Sequence, residues 1–421
     1  MNWILRDSHF GKRKSVHTLI LTLIFVFFTS CNNIGIFQNG GLVVAVPSSR
    51  SASESTIFTV TVADTAGNKQ SKTIVAGESA QFDSLVPGSY SITVEGKESD
   101  ISTMFGATEV SVVAGQTATA SVRLSAVAHT FEALQLLIKK GGTVYIGSDI
   151  EFTSGLQIKD TNVKIVPLKN VVLKNNSTEP LFTVGTSTFS LGGGEYTLTL
   201  DGNNQAQHGV KVTEASFFLE KNTVITNCAN SGVYITSADF TMNGGTITQN
   251  TAVSGGGVYV LHGTFVMNNG SITANKLSDD SASSGGGIYI ERGTFTMNGG
   301  SITNHTVGIK DGGAIAVKET ALFTMNAGTI SGNTASSDGG GICLFGSSSG
   351  DKGRCILNGG IITNNICDGN GGGISVSGEC TVNAGSVITE NTCSKGGNIY
   401  VYSGFTYTNN GATVEDVVIQ E

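Results

Sequence analysis

Three short motifs recur in fixed order through the C-terminal two-thirds of the chain, and they constrain its fold more than any other feature. The first is a glycine pair or triplet followed by an apolar-x-apolar strand. The second is Phe-x-x-Asn. The third is an Ile flanked by Thr or Ser and followed by Asn. One clear unit runs from Gly255 through Val258-Tyr259-Val260 and Phe265-Val266-Met267-Asn268 to Ser271-Ile272-Thr273-Ala274-Asn275. The second-motif Asn falls at Asn243, Asn268, Asn298, Asn326, Asn358, Asn383 and Asn409, with gaps of 25, 30, 28, 32, 25 and 26. Self-similarity at such a period indicates a solenoid, a propeller or an array, and a propeller blade needs about 40–45 residues. No segment of the repeat has the helical period of about 3.6 that a helical solenoid requires. Three short strands and three turns fit the observed gaps. The expected fold is therefore all-β: a right-handed, three-faced parallel β-helix of about ten coils over residues 144–421, preceded by a small β-sandwich.

Each residue type has a place in such a coil. Alternation turns Val258 and Val260 inward and Tyr259 outward, and likewise Phe265 and Met267 inward. Equivalent positions in the next coil lie ~4.8 Å away, so the core becomes columns of like residues. Asn tolerates the left-handed corner conformation and can form stacked amide ladders. Glycine relieves corners that need positive φ.

Composition excludes the competing classes. The chain has 57 Gly but only 4 Pro, too few for collagen. Hydrophobic residues make up 39% and recur regularly, which argues against disorder. A net charge of -8 lacks the basic footprint of a nucleic-acid binder.

Upstream, Lys12, Arg13 and Lys14 precede an apolar run at residues 16–28. That run is shorter than the about 20 residues that span a bilayer and reads as a secretory signal. It ends Phe28-Thr29-Ser30-Cys31, which resembles a bacterial lipobox, with Phe28 in place of the usual Leu. The resemblance implies a signal peptide at 1–30, lipidation at Cys31 and a polar tether over 31–53. Alternating runs over 54–125, broken at Asp64-Thr65-Ala66-Gly67, Ala76-Gly77, Pro87-Gly88 and Ala114-Gly115, predict the sandwich. This segment resembles carboxypeptidase-regulatory and prealbumin-like modules, which implies a spacer. Within 126–143, residues 130–140 predict an amphipathic helix with Phe131, Leu134, Leu137 and Ile138 on one face, ended by Gly141-Gly142. A helix there would cap the open end of the first coil.

Gly312-Gly313-Ala314-Ile315 followed by Phe323-Thr324-Met325-Asn326 resembles the paired GGA(I/L/V) and FxxN repeats of chlamydial polymorphic outer membrane proteins. Phe240–Asn243, Phe265–Asn268 and Phe295–Asn298 match the second half. The likeness covers residues 230–410 and implies an adhesin. That family's outer-membrane barrel is not expected here, and a lipid anchor would replace it, as in lipoproteins similar to those of treponemes. The expected location is the cell surface, on the outer membrane. The expected partners are the membrane, through the anchor, and a host or matrix protein or glycan, with no nucleic acid.

Many parallel β-helices act on polysaccharides, which makes paired carboxylates the first candidates for chemistry. Asp311 and Asp338 precede successive glycine runs, and Asn370 follows at the equivalent position. They are the candidate acid pair or calcium site, against the plainer reading that Ser254, Ser284 and Lys395 hold the same slot as turn formers. Otherwise no cofactor is expected. The pair Asp279-Asp280 resembles one polygalacturonase element, but its companions are absent and a solvated loop is expected. Cys355 and Cys380 share the Phe slot of successive coils, and Cys367 and Cys393 share a corner. Both pairs are disulfide candidates, although parallel Cβ vectors suit a bridge poorly. Tyr234, Tyr259 and Tyr289 form an outward aromatic row, with Tyr400 recurring later. Such rows can bind sugars or proteins. Thr246/Thr248, Ser271/Thr273, Ser301/Thr303 and Thr329/Ser331 form a hydroxyl ladder, as on ice-binding β-helices, or simply good strand residues. The leading expectation is a non-catalytic surface scaffold for adhesion. A polysaccharide lyase or hydrolase and a purely structural envelope component are the alternatives.

Overall fold

The structure is a computed structural model that describes residues 38–46, 56–278, 284–308, 311–318, 320–347 and 350–421. The lipidation candidate Cys31 and the Asp279-Asp280 pair lie outside the described residues. No helix among the described residues is long and apolar enough to cross a membrane. The chain divides into two compact units.

The described part of the first unit is residues 38–46, 56–98 and 106–124. Strand Ile57–Asp64 pairs antiparallel with Lys69–Val75 through the turn at Asp64, and with Gly88–Glu98 on its other edge. Asp64 holds that turn by accepting the backbone N–H groups of Ala66 and Asn68, each at 2.9 Å. The expected tether is not wholly a tether. Gly40–Ala45 is the central strand of a three-stranded sheet, parallel to Thr117–Ser121 and antiparallel to Ser79–Leu85. Its alternation buries Leu42 and Val44, which is why it joins this unit.

The second unit, Ser99–Phe105 with Ser125–Glu421, is a parallel β-solenoid of about ten turns. Helix Phe131–Lys140 opens it, N-capped by Thr130, whose side chain accepts the N–H of Ala133. Leu134 and Ile138 are buried in the core of the first coil, as the apolar face predicts. From Val233 to Cys367 each coil feeds three ladders. The Tyr and Phe segments run together in one bent ladder, as in Val233–Met242 and Val258–Met267. An eleven-stranded ladder takes the Ile motif. A third ladder consists of five two-residue strands, such as Thr251–Ala252 and Lys276–Leu277.

Columns of like residues form the core. Six phenylalanines, Phe189, Phe217, Phe240, Phe265, Phe295 and Phe323, stack with ring centroids 4.5–5.6 Å apart. Cys355, Cys380 and Tyr407 continue that column. Two amide ladders flank it. The exposed one links Asn243, Asn268, Asn298, Asn326, Asn358 and Asn383, each amide donating to the carbonyl oxygen of the one before at 2.8–2.9 Å. Its last rung is Asn410, not Asn409, because Tyr407 stands in the Phe slot and Asn410 keeps the motif's spacing from it. The buried ladder runs through Asn250, Asn275, His305, Asn333, Asn365 and Asn391. The residue before each of these has positive φ: Gln249, Ala274, Asn304, Gly332, Asn364 and Glu390. The left-handed corner aims the following amide inward, where it satisfies backbone groups that water cannot reach.

Candidate functional site

Outward residues of the first face stack coil on coil, and the register brings the Tyr row together. Tyr234 opposes Tyr259, which opposes Tyr289, with ring centroids 5.1 and 5.0 Å apart. His208 extends the stack beneath Tyr234 at 5.0 Å, and the Lys211 ammonium lies 6.0 Å from the Tyr234 centroid. The ring faces therefore cover one another, and the row offers its edges to solvent. The Tyr259 hydroxyl donates to the Glu291 carboxylate. Burial, followed by that bond, pushes its pKa well up. Burial holds His208 neutral, with its pKa pulled down to about 4, and its Nδ1 donates to the Ser231 carbonyl at 3.1 Å. Beyond Tyr289 the column becomes Ala316, Cys343 and Ser375, all buried. Tyr400 is in register but also buried, so the half-exposed row is three rings long.

Asp311 and Asp338 do occupy one corner column. The backbone N–H of Asp338 donates to Asp311 Oδ1 at 2.9 Å, and that of Asn370 donates to Asp338 Oδ1 at 2.7 Å. The Tyr402 hydroxyl donates to the other Asp338 oxygen and accepts from Asn370 Nδ2 at 2.9 Å. Each carboxylate thus caps the amide of the next coil, the work a turn former does. Among the described residues no group of three or more His, Cys, Asp or Glu side chains is placed to hold a metal ion.

The hydroxyl ladder is in register, with Ser301 donating to Ser271 at 3.2 Å and Thr303 to Thr273 at 3.0 Å. The six described cysteines are free thiols, and Cys355 directly opposes Cys380.

An open depression of about 810 Å³ runs along the corner between the first and second strands of successive coils. Its lining includes Thr186, Ser187, Glu214, Ala215, Ser237 and Asp239. Thr186, Glu214 and Ser237 all have positive φ and turn the chain there. The sequence carries its signal. A small residue stands two positions before the Phe slot in eight successive coils: Ser187, Ala215, Ala238, Gly263, Gly293, Ala321, Gly353 and Gly378. Small side chains at a repeated corner leave a furrow outside it.

Comparison with known protein families, with curated proteins and with solved structures finds no match for this chain.

Proposed function

We propose that this chain is a bacterial surface lipoprotein, anchored through Cys31 in the outer membrane, whose solenoid is a non-catalytic scaffold for adhesion. The observation that carries the reading is the row of Tyr234, Tyr259 and Tyr289 on an otherwise repetitive flank. Half-exposed ring edges with hydroxyl groups suit a protein or glycan surface that offers hydrogen-bond partners over an apolar patch. Their mutual stacking means that little side-chain entropy is lost on contact. The corner carboxylates also support a scaffold, since Asp311 and Asp338 serve the backbone. The purified protein is to be screened against glycans and matrix proteins, alongside Tyr234→Ser and Tyr259→Ser. Binding that both variants weaken at least tenfold is expected. Absence of any ligand would leave a structural envelope component.

A polysaccharide-active enzyme is the second reading, and the depression lined by Glu214 and Asp239 favours it. The depression is polar, open and continuous over several coils, as a chain-like substrate requires. Turnover of an acidic polysaccharide that Glu214→Gln and Asp239→Asn both abolish would establish this reading.

A further inference from the structure

Four of the six described cysteines meet at one junction between coils. Cys355 and Cys367 lie in one coil, and Cys380 and Cys393 lie in the next. The two pairs differ in access. Cys355 and Cys380 are each 1% exposed, inside the column between Phe323 and Tyr407. Strand register holds their Cβ vectors parallel, a poor geometry for a bridge. Cys367 and Cys393 stand at the corner, where neither residue is locked on both sides in a long strand. Cys367 belongs to the two-residue strand Ile366–Cys367, and its N–H donates to the Thr392 carbonyl at 3.0 Å. Cys393 is half-exposed, and its thiol donates to the Lys395 carbonyl. The Cys367 thiol is buried and lies against Cys393, and both effects hold its pKa up.

We propose that Cys367 and Cys393 form a thiol–disulfide exchange site whose substrate is an external disulfide and whose product is a covalent latch between two coils. Access assigns the order of events. Cys393, as the thiolate, attacks one sulfur of an external disulfide R–S–S–R. One R–S⁻ leaves and takes up the proton that Cys393 released. Cys367, deprotonated in turn, attacks the Cys393 sulfur of the mixed disulfide, and the second R–S⁻ leaves with the second proton. The pair has lost two electrons and two protons, and one external disulfide has become two thiols. Coils of a solenoid are held only by their neighbours, so a bond across this junction ties the coil after it to the stack.

The full-length protein is to be treated with oxidised glutathione at about pH 8, where thiolates are populated. Free thiols are then alkylated and the digest mapped by mass spectrometry. The expected product is a Cys367–Cys393 peptide, with Cys228, Cys343, Cys355 and Cys380 alkylated only after denaturation. In Cys367→Ser the reaction stops at a glutathione adduct on Cys393, and in Cys393→Ser neither adduct nor bridge forms. A persistent adduct on Cys393 in the unaltered protein overturns the proposal, as does a bridge between Cys355 and Cys380. The latch also raises the midpoint of thermal unfolding, reversibly on adding dithiothreitol. An oxidised protein that melts where the reduced one does removes the latch.

Discussion

His305 takes the place of an asparagine in the buried ladder and imitates it atom for atom against Asn275. Its Nδ1 accepts the Asn275 backbone N–H at 3.1 Å, as an amide oxygen does at the other rungs. Its Nε2 donates to the Ile272 carbonyl at 3.0 Å, the role of an amide nitrogen. This assignment requires the neutral ring. Burial lowers the His305 pKa to about 4, from an ordinary value of 6.5. The unfolded chain therefore binds more protons than the folded one between those values. Stability is complete above about pH 6.5 and falls as the pH drops towards 4, by on the order of 3 kcal/mol for this residue. His208, also held at about 4, adds to the slope in the same window. Urea midpoints measured across that window should fall with pH, and His305→Asn should flatten the curve.

The ladders are predicted to differ in energy because they differ in access to water. Asn365→Ala removes the acceptor of the Asn333 N–H and side-chain amide, and the donor to the Ile330 carbonyl. All three are buried groups, so the loss should be about 3 kcal/mol or more. Asn326→Ala breaks rungs of the exposed ladder, where water replaces the lost partners, and should cost less than about 1 kcal/mol. Denaturant titration of the two variants separates them. Equal costs would mean that the buried ladder admits water.

At the Asp338 corner the expected outcome is structural. Asp338→Asn keeps an oxygen for the Asn370 N–H and should change stability by less than about 1 kcal/mol. Asp338→Ala strands that N–H and releases the Tyr402 hydroxyl, at a cost of about 1–2 kcal/mol. Calorimetry of both variants, with Tyr402→Phe, distinguishes a capping carboxylate from one whose charge is required.

The repeat made the solenoid legible because every coil restates one constraint: Phe inward, Asn at the corner, Gly where φ turns positive. The capping helix was legible too, since Thr130 and Gly141 punctuate it locally. Gly40–Ala45 was not, although Leu42 and Val44 alternate correctly, because its partner Thr117–Ser121 is remote in sequence. Asn410 was missed because a Tyr in the Phe slot hid the motif. The repeat alone puts Tyr234, Tyr259 and Tyr289 in one column. That its rings would cover each other's faces follows only from the coil spacing, which brings neighbouring rings into contact. The depression was hidden because most of its lining is ordinary Ser, Thr and Ala, and Glu214 and Asp239 stand in different coils. Its shape comes from stacked corners, and no single corner carries a motif.

Those corners supply the last prediction. Gly263 has φ 124, and a Cβ there would sit 2.1 Å from the carbonyl oxygen of Ala238 in the coil before. Gly404 has φ 82, but a Cβ there meets nothing within 4 Å. Both positions strain an L residue, at about 1 kcal/mol for the backbone alone. Only Gly263 adds a backbone collision. The oxygen it meets belongs to a paired strand and cannot withdraw without parting two coils. Gly404→Ala should therefore lower the thermal midpoint slightly. Gly263→Ala should cost several-fold more and open the corner between the coils carrying Ala238 and Gly263. Amide hydrogen exchange reads this directly, with protection lost at Thr264 in Gly263→Ala and retained there in Gly404→Ala, while Asp239, whose N–H donates to the Ala215 carbonyl of the preceding coil, keeps its protection in both. Equal protection in the two variants would show that the corner can yield without separating the strands.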